Sequence, residues 1–282
     1  MAIDLPKIDE LIPGLGCLNY HIFNNKNLSG KLQRRTEQIG YFIRGAIYSY
    51  EKLESIRSDV IESISHRLSN GAVCLDIDIV DTMNYEIDQY FYCMRRVADS
   101  VIHYLSLTYG DNSFPSSFND LIKNIRKDKH KAIAGPVRGL LIDYWDRFGL
   151  PIKNYRDLAT HHTLILSNCI AYKTENGFGM SMHLPDDPSN CKLDSISYEK
   201  EVSAMRFLAN SLLNTLIFLN HLVEQLLDVL VSSNDKYDNS SMFITPRAMM
   251  TLKTRVTGEF VPFSPMTSEM LVVLKSVLAS KK

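Results

Sequence analysis

The chain has 282 residues and a mass of 32.2 kDa, which suffices for one large domain or two small ones with a buried core. Hydrophobic residues make up 45% and charged residues 22%. These fractions are typical of globular proteins and exclude disorder over most of the chain. The net charge is -1, which excludes a basic coat over the whole surface but leaves room for a local basic patch.

The cysteines indicate a reducing compartment. There are five, and no two have the C-x-x-C spacing of a zinc ribbon. We therefore predict a cytoplasmic protein without a disulfide framework. Asp4, Asp9 and Glu10 interrupt the N-terminal stretch in which a signal peptide needs an apolar run. Six polar or charged residues interrupt the most apolar segment, 212–231, so we expect no membrane span and no membrane partner.

Apolar residues at steps of three and four predict long amphipathic helices over 31–68, 82–109 and 197–231. Between the first two, Leu75, Ile77 and Ile79 alternate with aspartates and indicate a short strand or a capped loop. Helices that each carry one apolar stripe bury it best against one another.

Shorter helices and a hairpin are predicted between the long helices. We predict one helix over 116–127, a second from Gly135-Pro136 to Phe148-Gly149, and a third over 154–170. Asn176-Gly177 predicts a hairpin turn between two short strands.

The predicted fold class is all-α, an up-and-down helical bundle with long amphipathic helices near 31–68, 82–109, 154–170 and 197–231. A small β-hairpin follows the 154–170 helix. Residues 1–231 form the bundle domain in this interpretation. Residues 232–282 form a linker and a C-terminal appendage, with a helix that opens at Ser264-Pro265.

Residues 154–162 (NYRDLATHH) carry the most informative side chains. At 100° per residue, Arg156, Asp157 and His161 lie on one polar face of a helix, within an arc of roughly 140°. Helix N-termini favour phosphate, arginine clamps phosphate oxygens, and histidine transfers protons near neutral pH. This face therefore holds the minimal set of side chains needed to cleave a phosphodiester. His162 has the direction of the apolar side and is assigned to the core, although it remains open whether it orients His161 or titrates with it.

The pattern Arg156-Asp157-x-x-x-His161 resembles the signature of the HEPN superfamily, the helical domains of many prokaryotic and some eukaryotic ribonucleases. The resemblance implies metal-independent RNA cleavage: the ribose 2′-OH attacks the neighbouring phosphate and leaves a 2′,3′-cyclic phosphate and a 5′-OH. It also implies a composite site built from two motifs, one from each subunit of a homodimer. Neither a cofactor nor a metal is implied.

The same resemblance implies roles for the three residues. Arg156 would stabilise the charge of the pentacoordinate phosphate, and His161 would act as general acid/base or hold the scissile phosphate. Asp157 would orient Arg156 or His161. Family members often act in toxin–antitoxin or antiviral settings, which implies a regulatory protein partner.

The likeness covers six residues directly and residues 30–230 by architecture. The chain is long for a minimal domain of this type, and the hairpin departs from it. Many family members also keep the fold and lose the chemistry. The alternative is therefore a non-catalytic helical module that dimerises and binds nucleotide or a protein partner through the same polar face. A looser pair, Arg96 and His103, is predicted to face solvent.

A basic segment, 123–131 (KNIRKDKHK), precedes Gly135-Pro136. Its cations suit contact with an RNA backbone, although a solvent-exposed loop between helices also explains them. The predicted RNA-binding residues are Lys123, Arg126, Lys127, Lys129 and Lys131, with His130 as a sixth potential cation.

Aromatic residues near the motif, Tyr155, Tyr172 and Phe178, either stack on splayed bases or belong to the core. Asp76, Asp78 and Asp81 can in principle bind a hard cation. Helix capping before Thr82 explains Asp81 more simply, so no metal site is predicted. Cys93 and Cys169 are interpreted as small core residues of helices.

Overall fold

The computed structural model describes residues 8–12, 14–26, 29–67, 77–161, 168–175, 177–189 and 196–232. Over these residues the chain is mostly helical, with one small antiparallel sheet. The helices are α1 (Ile8–Leu11), α2 (Leu15–Lys26), α3 (Ser29–Arg67), α4 (Ile77–Tyr109), α5 (Phe118–Arg126), α6 (Gly135–Tyr144), α7 (Leu150–His161) and α8 (Ala204–Ser232). The strands are β1 (Asn168–Thr174), β2 (Gly177–Leu184) and β3 (Val202–Ser203). The predicted predominance of helix is confirmed at this level.

The chain forms two compact units, and α3, α4 and α8 each contribute a segment to both. Within the described residues, the first unit takes 41–98 and 146–212. The second takes the residues up to 40, then 99–145, and the residues from 213 onward. The motif helix and the sheet belong to the first unit, and the basic segment belongs to the second.

The core of the first unit is aromatic. Tyr90 and Phe91 of α4 are fully buried, and the Tyr90 hydroxyl donates to the carbonyl oxygen of Leu208 in α8 at 2.6 Å. Helices α3 and α4 approach closely beside Gly45, where a Cβ atom would lie only 2.8 Å from Sγ of Cys93. Close packing of this kind fixes which faces of the two helices meet.

The core of the second unit centres on Phe118, which is fully buried at the start of α5. Its ring lies 6.0 Å from Tyr144 and 6.2 Å from Phe218, centroid to centroid, with both pairs edge-to-face. Tyr144 and Phe218 stack on each other at 4.0 Å. Ser117 caps α5, since its Oγ accepts from the backbone N–H of Asp120.

The predicted hairpin is confirmed. Strands β1 and β2 pair antiparallel from Asn168↔His183 to Thr174↔Gly177. Sequence reasoning missed the third strand, β3, which pairs with the end of β2 through Leu184↔Val202. The predicted 197–231 helix therefore begins later than expected, at Ala204.

The predicted 154–170 helix is wrong at both ends. Helix α7 begins at Leu150 and ends at His161, and Cys169 and Ile170 lie in β1. The apolar residues of β1 are compatible with either a helix or a strand, and this segment forms a strand because it pairs with β2. Cys169 is half-buried in that strand, so its assignment to a helical core is wrong as well.

The proposed strand or loop around Leu75, Ile77 and Ile79 is also wrong for the two described residues, because Ile77 and Ile79 lie in the first turn of α4. Three alternating residues fit the beginning of a helix as well as a short strand. The other short helices agree within a few residues with α5 and α6. The linker from residue 233 and the helix expected at Ser264-Pro265 lie outside the described residues.

Candidate functional site

The motif lies on a single helix, as predicted, but not at the beginning of that helix. Arg156 is the seventh residue of α7, and His161 is its last. The expectation that helix N-terminal N–H groups favour a phosphate at this motif is therefore wrong, because these groups lie upstream. A purely structural interpretation, in which Arg156 and Asp157 only cap and solvate the beginning of a helix, fails for the same reason. Side chains must supply any positive charge that attracts a phosphate here.

A proline explains how the helix before the motif is built. Helix α6 passes into a π-helical turn, Trp145–Gly149, and then into α7 without a break. Pro151 stands second in α7 and has no N–H to donate to the carbonyl four residues earlier. The wider π turn relieves the clash that the proline ring would make with a regular α-helix. The proline thus marks a change of helix type rather than a helix boundary.

The apolar side of α7 is fixed by Tyr155, which is 3% exposed. Its ring stacks on Phe91 at 4.9 Å and meets Phe207 edge-on at 5.2 Å. Its hydroxyl donates to the carbonyl oxygen of Pro185 at 2.8 Å. Burial raises the pKa of Tyr155, so the hydroxyl stays protonated. Of the two interpretations of this aromatic residue, the core assignment is confirmed.

On the polar side of α7, Asp157 accepts from two cations. Nη1 of Arg156 lies 3.0 Å from Oδ1 of Asp157, and Nζ of Lys153 lies 2.6 Å from Oδ2. Burial by itself would raise the pKa of Asp157, but hydrogen bonds from Lys153 and Arg156 outweigh it and hold that pKa below its ordinary value. Asp157 is therefore ionised at neutral pH, which suits the positioning of a cation and does not suit proton transfer.

The Arg156 side chain is 31% exposed. Its Nε is buried and has no hydrogen-bond partner among the described residues. The guanidinium is thus held through Nη1, and the exposed part of the side chain leaves it able to reach a phosphate oxygen. The hydroxyl of Thr160 is less available to a ligand, because it already donates to the carbonyl oxygen of Arg156 at 2.9 Å.

Of the predicted site residues, the structure brings Arg156 and Asp157 into contact and places His161 on the same helix. The side chain of His161 and the whole of His162 lie outside the described residues. Sequence reasoning missed Lys153, although it precedes Asp157 by four residues, the spacing of an ion pair along a helix.

The ion pairs of Asp157 predict a pH dependence of stability. Because its pKa is lower in the folded than in the unfolded protein, the ionised carboxylate stabilises the fold above pH ~4, and this contribution is lost as the pH falls through the folded pKa. We expect Asp157→Asn to lower the free energy of unfolding by about 1 kcal/mol at pH 7 and by much less at pH 3. Urea unfolding at the two pH values measures this, with Asp81→Asn at an exposed helical position as control. An equal loss at both pH values would contradict the assigned contacts.

The basic segment spans the end of α5 and the turn that follows it. The five predicted RNA-binding side chains, Lys123, Arg126, Lys127, Lys129 and Lys131, are all exposed. Two of these cations have acidic neighbours: Lys123 lies 3.5 Å from Asp120, and Lys131 lies 3.2 Å from Asp128. Pairs so exposed to water are weak and do not prevent contact with a phosphate backbone.

His130 differs from the five exposed cations of that segment. Its side chain is only 7% exposed, and its ring stacks on Phe114 at 4.6 Å with an interplanar angle of 8°. Nδ1 lies 3.5 Å from Oδ2 of Asp111. His130 is therefore not an exposed cation of the segment, because it packs the turn against the residues that follow α4.

Arg96 also departs from the prediction that it faces solvent. Its guanidinium lies over the ring of Phe42, 5.4 Å from the centroid, and the side chain is half-buried.

The other two aromatic residues near the motif differ in exposure: Tyr172 is 46% exposed, and Phe178 is half-buried. Cys93 is buried, and burial raises the pKa of its thiol to about 11, which agrees with a small core side chain.

Asp78 and Asp81 lie inside α4 and not before it, so the capping role predicted for Asp81 is wrong. Asp76 lies outside the described residues. Within the described part of the chain, no three His, Cys, Asp or Glu side chains are grouped as a metal site requires. No helix of that part is long and apolar enough to cross a membrane.

Comparison with models of protein families, with curated proteins and with solved structures finds no match for this chain.

Proposed function

We propose that the protein is a metal-independent endoribonuclease of HEPN type that acts as a homodimer in the cytoplasm. The observation that carries the proposal is the arrangement on α7, where Asp157 holds Arg156 through one guanidinium nitrogen and His161 follows on the same helix. The mostly helical fold is compatible with the up-and-down bundle that the family implies.

In the proposed reaction the ribose 2′-OH attacks the adjacent phosphorus and loses its proton. The bond from phosphorus to the 5′ oxygen breaks, and that oxygen takes up a proton. The products are a 2′,3′-cyclic phosphate and a 5′-OH. His161 transfers protons or holds the scissile phosphate, and Arg156 stabilises the extra negative charge of the pentacoordinate phosphorus.

Asp157 acts on Arg156 rather than on the substrate in this account. An ionised carboxylate next to the scissile phosphate would repel it. Its two cationic neighbours, Lys153 and Arg156, offset that charge and leave a net positive group of three side chains. The five exposed cations of the basic segment are proposed to contact the RNA backbone.

One observation favours the alternative, a non-catalytic module that binds nucleotide or a protein partner. Arg156 is already paired with Asp157 within its own chain, as expected of an arginine with a structural role. The Arg156 side chain nevertheless stays 31% exposed and open to a phosphate, which favours the ribonuclease.

The test is cleavage of total cellular RNA in excess EDTA by the wild type and by the Arg156→Ala/His161→Ala double variant. We expect cleavage by the wild type alone. Equal cleavage by both proteins would place the activity elsewhere. No cleavage by either would favour the non-catalytic module.

A further inference from the structure

Strand β1 is an outer strand of the sheet. The strand order is β1-β2-β3, and β1 pairs with β2 over its full length. On its other edge, β1 has no paired strand among the described residues. The outward backbone N–H and C=O groups of such an edge are a template for another strand.

Within the described residues, this edge has few of the features by which proteins usually protect an outer strand. The sequence of β1, NCIAYKT, has no proline and one charge, Lys173, and its register with β2 runs without a bulge. Ile170 and Tyr172 are 43% and 46% exposed on one face. A Cβ on Gly179 would lie 2.6 Å from the Tyr172 ring, so this glycine lets the ring lie across β2.

The pattern of β1 is complementary to itself. With a two-fold axis at Ala171, the central residue of the strand, Ile170 of one copy stands opposite Tyr172 of the other, and both such pairs lie on the same face. Pairs of a β-branched and an aromatic side chain are favourable across antiparallel strands. Lys173 stands opposite Cys169, so no two like charges meet. A second copy of this chain therefore fits the edge better than an arbitrary extended peptide.

We propose that β1 pairs antiparallel with β1 of a second copy about Ala171, which joins two three-stranded sheets across the dimer. The functional consequence of this interface rests on the proposed function, in which the second copy supplies the second motif of a composite site. Asn168 follows His161 by seven residues, so the two Cα atoms lie within roughly 25 Å of each other. In each copy, the motif helix therefore ends within that distance of the proposed interface.

Disulfide trapping tests the register. In a Cys169→Ser background, Ala171→Cys puts two thiols opposite each other across the axis, where Cα atoms of antiparallel strands are about 4.5–5.5 Å apart, within disulfide range. Thr174→Cys on the same strand puts its thiols roughly 20 Å apart, six residues along the strand. Under mild oxidation we expect a covalent dimer from Ala171→Cys and none from Thr174→Cys. A dimer in solution that neither variant traps would overturn the proposal, and so would a monomer under all conditions.

A second pair of variants needs no disulfide. Tyr172→Lys should raise the dimer dissociation constant about tenfold or more, because it removes two cross-strand pairs and adds a charge at each. Tyr48→Lys, at an equally exposed tyrosine of α3, should leave it unchanged. The reverse result would place the interface on α3 and overturn the proposal. Sedimentation velocity measures both, with circular dichroism to confirm the fold.

RNA cleavage is scored separately. A trapped dimer that does not cleave RNA would contradict the proposed function and leave the interface intact. Cleavage by a protein that Ala171→Cys does not trap would contradict the interface alone.

Discussion

Replacement of His161 by alanine is expected to lower the rate of RNA cleavage by about 10²- to 10⁴-fold, the range that general acid–base catalysis contributes. The imidazole is the group of the motif that can exchange a proton near neutral pH, since Asp157 is held ionised and arginine stays protonated. Alanine is the strongest helix former, so the helix content should be unchanged.

The control for this variant is His221→Ala, at an exposed histidine of α8, for which we expect wild-type cleavage. Arg156→Lys adds a second check. It keeps the positive charge but loses the forked donors, so the rate should fall although Asp157 still has a cationic neighbour. Unchanged cleavage by His161→Ala would refute the assignment of the motif as the active site.

The largest effect on stability is expected at Tyr155. Tyr155→Ala should lower the free energy of unfolding by about 3–5 kcal/mol, because it removes a fully packed ring from between Phe91 and Phe207. Tyr155→Phe keeps the ring and loses only the hydrogen bond to Pro185, so we expect a loss of about 1 kcal/mol.

Denaturant unfolding measures these differences, and Tyr85→Ala, at a tyrosine that is 56% exposed, should change stability by less than about 0.5 kcal/mol. Tyr155→Phe should also bind RNA as the wild type does, because the ring lies in the core. Weaker RNA binding with unchanged stability would contradict this and restore the stacking role considered for Tyr155.

The sequence predicts the long helix α3 well because its apolar residues recur over many turns. The predicted 31–68 helix differs from α3 by two residues at the beginning and one at the end. The hairpin is equally well predicted, since Gly177 lies in the left-handed region at φ 141, where glycine is favoured.

The failures occur where short patterns are ambiguous. The sequence ends one helix at Phe148-Gly149, whereas the structure continues through a π turn, Trp145–Gly149, into α7. Cys169 and Val202 adopt strand because β2 lies beside them, and this tertiary pairing leaves no local signal.

The candidate site, too, can be predicted from the sequence only in part. The spacing of Arg156, Asp157 and His161 is visible in the sequence, and so is the polar face that they share. The contact between Asp157 and Arg156 is not visible there, because the sequence allows Asp157 to orient either Arg156 or His161, and the structure reports the contact with Arg156. The burial of His130 depends on Phe114 and Asp111, which precede it by 16 and 19 residues. No local pattern predicts such a contact.

The central claim is that the ribose 2′-OH is the nucleophile in a reaction that needs no metal. The most direct measurement incubates the wild-type protein in excess EDTA with an RNA oligonucleotide and with its fully 2′-O-methylated counterpart, and maps the ends of the products. We predict cleavage of the RNA alone, with a 2′,3′-cyclic phosphate on one fragment and a 5′-OH on the other. Cleavage of the methylated strand, or products with a 5′-phosphate, would contradict the account.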